Sequence, residues 1–307
     1  MSDIKLFRTN GKVEELSGTS VAVEKSLQSL FEHNLEPLLG VRFLASEYST
    51  GAIHGGRIDT IGIDENNCPV ILEYKRATNQ NVINQGLYYL DWLLDHKAEF
   101  QLLVQKRFGV EAAEDIDWTS PRLICIAGDY TKFDEHAVQQ IPRHIELVRY
   151  KRYGDELLLL ELINVPYETR AAGAAQTPPS SGSAPSALQY KTFEDYLHQA
   201  SADLLDLYHA FRDYMVALGD DVQVKRLKYY EAYKRIRNIA CLSIQIQVKT
   251  LIATVRLNPD EVDLQEGFTR DVREIGHWGT GDLEITLRSM EDLERAKPLL
   301  NKAYEQS

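Results

Sequence analysis

At 307 residues the chain has room for two cores of ordinary size. Its 44% hydrophobic content is that of a globular protein, and no apolar run reaches the roughly 18 residues of a membrane span. A net charge of −12 argues against a surface that is basic throughout, and three widely spaced cysteines (Cys68, Cys125, Cys241) exclude a disulfide framework or a zinc cluster. The start Met1-Ser-Asp-Ile-Lys lacks the pattern of a secretory signal, so a cytoplasmic protein without membrane partners is expected.

The first element is an amphipathic stretch, Val21 to Leu39, predicted as one helix and carrying Glu24, Glu32 and Glu36. Next come Gly56-Arg-Ile-Asp-Thr-Ile-Gly-Ile and Val70-Ile-Leu-Glu-Tyr-Lys-Arg, two apolar strands around the turn-forming Asp64-Glu-Asn-Asn-Cys-Pro69. A hairpin turning near Glu65 and Asn66 sets Asp59 roughly opposite Glu73, and period two puts Glu73 and Lys75 on one face. Such charges also suit a solvated strand with cross-strand ion pairs. However, Ile58, Ile61, Ile63, Val70, Ile71 and Leu72 make the hairpin apolar on both faces, where a carboxylate needs a metal or another partner.

Residues 81–94 read as a helix with Gln85 and Tyr89 four apart on one face. Pro121 to Gly128 reads as a strand, Asp134 to Gln140 as a helix, and Ile145 to Tyr153 as another strand; Leu157 to Ile163 reads as a buried strand. Ala171 to Ser186, rich in Ala, Ser, Gly and Pro, reads as a flexible tether inside a linker over 169–189. Beyond it, Thr192 and Asp195 suggest a capped helix running to about Leu218. Strands are predicted over Ile236–Ile246, Thr250–Leu257 and Asp282–Leu287, then a helix over Ser289–Tyr304, which makes a small α+β domain.

Between Gln223 and Arg256, Lys225, Arg226, Lys228, Lys234, Arg235, Arg237, Lys249 and Arg256 face a single acid, Glu231, and interleave with Tyr229, Tyr230 and Tyr233. This suits single-stranded nucleic acid, and equally a solvated basic helix-to-strand face with inward tyrosines. His277, Trp278, Thr280 and Asp282 suggest a second site, but a turn at Gly279 and Gly281 with Trp278 on the core is the favoured reading.

Asp59, thirteen residues, then Glu73-Tyr-Lys75, with Gln85-x-x-x-Tyr89 after it and a Glu-bearing helix before it, resembles the PD-(D/E)XK superfamily of restriction-endonuclease-like nucleases, in its RecB-like branch. Ile58-Asp59 stands in place of the Pro-Asp, and the likeness covers about residues 15–165. It implies an α/β domain over 1–168, a mixed central sheet flanked by helices, joined to the α+β domain over 190–307. That second part resembles, through His277-Trp-Gly-Thr-Gly-Asp-Leu-Glu-Ile, an uncharacterised domain attached to predicted nucleases and so-called predicted transport proteins.

The resemblance implies Mg²⁺ or Mn²⁺ on Asp59 and Glu73, with the Tyr74 carbonyl and a first-helix glutamate. Glu24 is the best match for that glutamate, with Glu32 and Glu36 left open. Lys75 would orient the attacking water, and Gln85 and Tyr89 would contact phosphates or brace the site. The function expected is a metal-dependent nuclease in repair or defence, acting on DNA ahead of RNA and endonucleolytically, with a homodimer suiting two-strand cutting. The alternatives are a non-catalytic nucleic-acid-binding module and a protein-interaction module that keep the fold.

Overall fold

In this computed structural model residues 4–19, 24–75, 81–164 and 192–307 are described. The chain divides into two units, Met1–Thr169 and Arg170–Ser307. The predicted tether over 171–186 lies outside the described residues, as do Val21 to Val23.

The first unit runs β1 (Leu6–Arg8), β2 (Glu14–Leu16), β3 (Gly18–Thr19), α1 (Glu24–Glu32), α2 (Leu35–Leu39), β4 (Val41–Ser49), α3 (Gly51–His54), β5 (Arg57–Asp64) and β6 (Pro69–Lys75). It continues with α4 (Asn81–Asp95), α5 (Lys97–Phe108), α6 (Val110–Glu114), β7 (Arg122–Ala127), α7 (Lys132–Gln139), β8 (His144–Tyr153) and β9 (Leu157–Leu162). Among the described residues seven strands form one sheet, β3-β8-β7-β6-β5-β4 with β9 on β8. Strands β4, β5 and β6 are antiparallel, whereas β6, β7 and β8 are parallel, so the sheet is mixed.

Both faces of the central strands are covered. Ile61, Ile63, Ile71, Leu123 and Cys125 join Val82, Leu90 and Leu93 of α4 in one core. On the other face Tyr74 meets Phe31 of α1, ring centroids 5.7 Å apart. This explains why β7, Arg-Leu-Ile-Cys-Ile-Ala, is buried along its whole length.

Two expectations for this unit change. The stretch 21–39 is not one helix: α1 ends at Glu32 and α2 starts at Leu35. Pro37 has no N–H to give the carbonyl four residues back and its ring crowds that carbonyl, which favours a break one turn before it. Strand β9 is half-buried, with Leu157 exposed, because it pairs only with β8.

One charged cluster sits inside the sheet, at the end where β5 turns into β6. Arg122, 2% exposed, donates through Nε and Nη2 to the two oxygens of Glu146, both at 2.8 Å, and through Nη1 to Asp64 Oδ2 at 2.9 Å. The other Asp64 oxygen accepts the turn amides of Asn66 and Cys68 at 2.9 and 2.8 Å. Burial works against the guanidinium charge, but Glu146 and Asp64 outweigh it and hold Arg122 above its ordinary range.

The second unit runs α8 (Phe193–Gln199), α9 (Ala202–Ala217), β10 (Gln223–Arg226), β11 (Glu231–Lys234), β12 (Asn238–Gln245), β13 (Thr250–Val255), β14 (Thr269–Asp271), β15 (Leu283–Leu287) and α10 (Met290–Glu305). Among the described residues its six strands form an antiparallel sheet, β10-β11-β12-β13-β15-β14. Phe193, Phe211, Leu293 and Leu300 from the helices close one face over Ala240, Leu242, Ala253 and Ile285. Each fully buried Phe, Leu or Ile among these contributes about 1.5–3 kcal/mol relative to leaving it exposed.

Thr192 and Asp195 make the expected capping box. The helix does not reach Leu218 unbroken, because Ala200 and Ser201 are extended and α9 restarts with Asp203 in its first turn. Strands β10, β11 and β14 are additional to the sequence reading; at three or four residues each they are too short to show a period. All three cysteines are buried free thiols, and among the described residues no helix is long and apolar enough to cross a membrane.

Arg122→Met is expected to destabilise the first unit by about 3–5 kcal/mol, because it leaves Glu146 and Asp64 buried without their cation. Replacing Arg122, Glu146 and Asp64 together by apolar residues should cost much less. Urea unfolding followed by tryptophan fluorescence checks this; a single variant as stable as the wild type would remove the cluster from the list of structural constraints.

Candidate functional site

The β5–β6 pairing runs Thr60 opposite Leu72, Ile61 opposite Ile71 and Ile63 opposite Pro69, which carries on to Asp59 beside Glu73. The two residues are tied directly: the Asp59 N–H donates to Glu73 Oε1 at 3.2 Å, and the Tyr74 N–H donates to Asp59 Oδ2 at 3.0 Å. Glu73 is fully buried, and its second oxygen, Oε2, has no hydrogen-bond partner among the described residues. Beside them Lys75 Nζ meets Glu24 Oε1 at 3.1 Å.

The electrostatics follow from crowding negative groups in a dry place. Burial first, then the Asp59 charge, pushes the Glu73 carboxyl up to about 9. Burial likewise raises Asp59, against the opposing pull of the Tyr74 amide and Lys75. Burial works against the Lys75 charge, but its hydrogen bond to Glu24 and the charges of Glu24, Asp59 and Glu73 hold the ammonium above its ordinary range. The result is a charged lysine beside a buried carboxyl group, one of whose oxygens finds no partner among the described residues.

An orphaned buried oxygen of this kind fits a hard divalent cation. Among the described residues no group of three or more His, Cys, Asp or Glu closes a cage of its own. The side chains that could hold one are Asp59 and Glu73, a set compatible with Mg²⁺, which keeps several waters. Tyr74 brings its main chain to the site, since its ring packs on Phe31.

The first-helix glutamates separate by position. Glu24 reaches Lys75, whereas Glu32 accepts from Thr60 Oγ1 at 2.6 Å on the α1 side of the sheet. Glu36 lies on α2. The residue that sequence reasoning missed is Gln28, one turn after Glu24 and one before Glu32. Buried to 4% exposure, it donates to the Asp59 carbonyl at 2.8 Å, to Glu32 at 2.9 Å and to Ser46 at 3.2 Å. Its i+4 spacing from both glutamates was the available signal. Glu47, at φ 52, was missed as well; it pairs with Lys25 and Arg57 at 2.8 and 2.5 Å.

Gln85 and Tyr89 are brought together on α4, with Gln85 Nε2 donating to the Tyr89 hydroxyl at 3.2 Å. That hydroxyl also accepts the Arg57 N–H at 3.1 Å, and the ring lies so close to Gly56 that a Cβ there would meet it at 2.6 Å. The pair braces the start of β5, the strand that carries Asp59.

In the second unit the basic surplus counted along the sequence is not a surplus of free charge. Lys234 is buried at 2% exposure. Arg226 pairs with Glu231 and with Glu194, and Arg235 with Asp221, so two acids from outside the counted stretch enter. Arg237 donates to the Gln306 carbonyl at 3.1 Å, and Lys228 lies over the Tyr229 ring. Lys225 is half-buried on β10. Tyr233 is buried as the inward reading has it, but Trp278 is not on the core: it is 46% exposed and stacks on Tyr229 at 4.2 Å. Gly279, at φ 83, is required because a Cβ there would strike Cys241 at 2.3 Å. Thr280 accepts from Asn238, and Asp282 is exposed.

The chain thus joins a mixed α/β unit, carrying the buried Glu73 beside the half-buried Asp59, to a sheet-rich α+β unit. Residues 193–307 match a domain of unknown function, DUF5655. A protein of Haemophilus influenzae named only as uncharacterized is 31% identical over 98% of this chain and 99% of its own length, and the chain belongs to the same family as that protein. Among solved structures, an EndoMS complex with double-stranded DNA is 20% identical over 44% of this chain and 47% of that chain, with a TM-score of 0.28. A repair endonuclease from Pyrococcus abyssi is 19% identical over 43% of this chain and 50% of that chain, also at 0.28. The matches span about half the length of those structures, and at these scores the site stands on its own geometry.

A carboxyl whose pKa is higher folded than unfolded binds more protons in the folded state. Its effect is therefore a loss of stability as pH rises from the ordinary carboxylate range to about 9 for Glu73. In EDTA, Glu73→Gln is expected to escape this loss. Its melting temperature should exceed that of the wild type by a margin that widens between pH 5 and pH 9 to on the order of 5 °C. A margin that stays constant with pH would show that Glu73 is not held neutral.

Proposed function

We propose that the first unit is a metal-dependent nuclease of the PD-(D/E)XK type, hydrolysing phosphodiester bonds of nucleic acid, with DNA ahead of RNA and internal bonds ahead of ends. The observation that carries this reading is the Glu73 carboxylate, buried beside Asp59 with one oxygen unpartnered and a charged lysine two residues on. A structural ion pair would have satisfied that oxygen; a site awaiting a cation would not.

Asp59 and Glu73 are the residues that hold Mg²⁺ or Mn²⁺, with the Tyr74 carbonyl and Glu24 as further oxygen donors. When bound, the ion supplies a positive centre that polarises a phosphate oxygen and acidifies a water. In hydrolysis a water would attack phosphorus, the bond from phosphorus to the leaving ester oxygen would break, and that oxygen would take up a proton. Lys75, held charged by Glu24, acts as a donor: it orients the water and offsets negative charge on the phosphate, and it is not the group that accepts the proton. Gln28 fixes the Asp59 backbone from α1, and Tyr89 with Gln85 fixes the strand start from α4, so the carboxylates are gripped from both faces of the sheet.

A binding protein that keeps the fold without turnover is the second reading, favoured by the presence of only two side-chain carboxylates at the pair. Incubation with single-stranded, duplex and branched DNA and RNA in Mg²⁺, Mn²⁺ or EDTA separates the two. Metal-dependent cutting is expected. It should fall to the EDTA background in Asp59→Asn and Glu73→Gln, and by about 10²–10³ in Lys75→Met. Cutting at the wild-type rate in Glu73→Gln would overturn the assignment, and metal-independent binding without cutting would establish the second reading.

A further inference from the structure

The second unit contains a cleft of about 430 Å³ between α8, α9 and β10 whose titratable lining is basic or phenolic: His198, His209, Arg212, Arg226 and Tyr208. Among the described residues no carboxylate belongs to the lining itself, although Glu194 meets Arg226 and His198 at its edge. The acid beneath it, Glu231, is fully buried, and its oxygens are already taken. One accepts the Tyr208 and Tyr233 hydroxyls at 3.1 and 2.7 Å; the other accepts Arg226 Nε and Nη2 at 3.2 and 3.1 Å, with Tyr208 again at 3.1 Å.

Arg212 is left over. Its Nε is buried without a hydrogen-bond partner among the described residues, and Glu231 Oε1 stands 3.9 Å away, beyond hydrogen-bond reach. The remaining Arg226 nitrogen, Nη1, is held at 2.6 Å by Glu194, a half-exposed side chain on the first turn of α8 that also lies 3.5 Å from His198. Glu194 thus occupies Arg226 Nη1 as a half-exposed anion, and the Arg226 guanidinium lies over the ring of Phe193.

We propose that this cleft is a binding site for a phosphate group, held by Arg212 and Arg226 with His209 and His198 at its rim. Guanidinium groups converge on it from two elements, α9 and β10, with two imidazoles beside them: Arg212 has a buried Nε without a hydrogen-bond partner among the described residues, and a phosphate would replace Glu194 at Arg226 Nη1, matching a tetrahedral anion reached from several sides. Leu197 and Leu205 form the apolar part of the wall, where the carbon skeleton of a phosphate ester would lie. The site is independent of the reading given to Asp59 and Glu73.

The test is calorimetric titration of the full-length protein at pH 7 in EDTA, with ionic strength held constant by KCl. The probes are inorganic phosphate, a 5′-phosphorylated thymidine dinucleotide and its unphosphorylated counterpart. EDTA removes any contribution from a metal at Asp59 and Glu73. Saturable binding of a phosphate-bearing probe is expected, weakened about tenfold in Arg212→Gln. Arg212→Gln leaves every hydrogen bond to Glu231 in place, and His209→Gln, on the exposed rim, serves as a second variant expected to weaken binding. Binding of both phosphate probes would mark a small-anion site, and binding of the dinucleotide alone a nucleic-acid end site; either supports the proposal. No saturation with either probe, equal binding of the unphosphorylated dinucleotide, or wild-type affinity in both variants would overturn it.

Discussion

The cluster of Arg122, Asp64 and Glu146 is the constraint on which the geometry of the first unit depends. Asp64 uses one oxygen to shape the β5–β6 turn and the other to reach Arg122 across the sheet, so the turn is fastened to β7 and, through Glu146, to β8. Turn geometry sets hairpin register, and a slip of one residue would send Glu73 to the opposite face of its strand. The meeting of Asp59 and Glu73 is therefore decided at the far end of the same hairpin, by a group that touches neither. A buried ion cluster contributes little net stability compared with apolar packing, but it tolerates a single arrangement.

At the other end of the strands the same physics runs in reverse. The clamp matches every buried charge with a partner, whereas the carboxylate pair leaves Glu73 Oε2 without one among the described residues and holds two acids above their ordinary range. The fold carries that cost because the surrounding grip is tight: Gln28 from one face, Tyr89 from the other, and Lys75 fixed by Glu24. Stability is spent where a bound cation would restore it.

Much of this was legible in the residues. The hairpin showed itself through its apolar strands and turn chemistry, and β7 through a short, nearly apolar run; the opposition of Asp59 and Glu73 followed from counting outward from the turn. What was not legible depended on contacts distant in sequence. The basic stretch over 223–256 looked unpaired because its partners, Glu194 and Asp221, lie outside it. Strand β11 was hidden because Glu231 and Lys234, charged residues with no place in an apolar pattern, are buried. Gln28 carries no charge and so drew no notice between two glutamates. The break at Asn34 was readable from Pro37, and the amphipathic period over 21–39 masked it.

The sequence separations within the clamp bear on the order in which the chain assembles. The β5–β6 hairpin needs only neighbouring residues, but Asp64 and Arg122 are 58 positions apart and Glu146 a further 24 beyond. Loop closure over such distances follows local pairing. During folding, the Ile-rich hairpin therefore exists before the cation that locks its turn, while its edge toward β7 is still open. Asp64 has by then already been held in place by the amides of Asn66 and Cys68, as a preset receptor for an arginine that arrives late. The parallel half of the sheet can dock in one alignment because the antiparallel half has already set out the counter-charge that selects it.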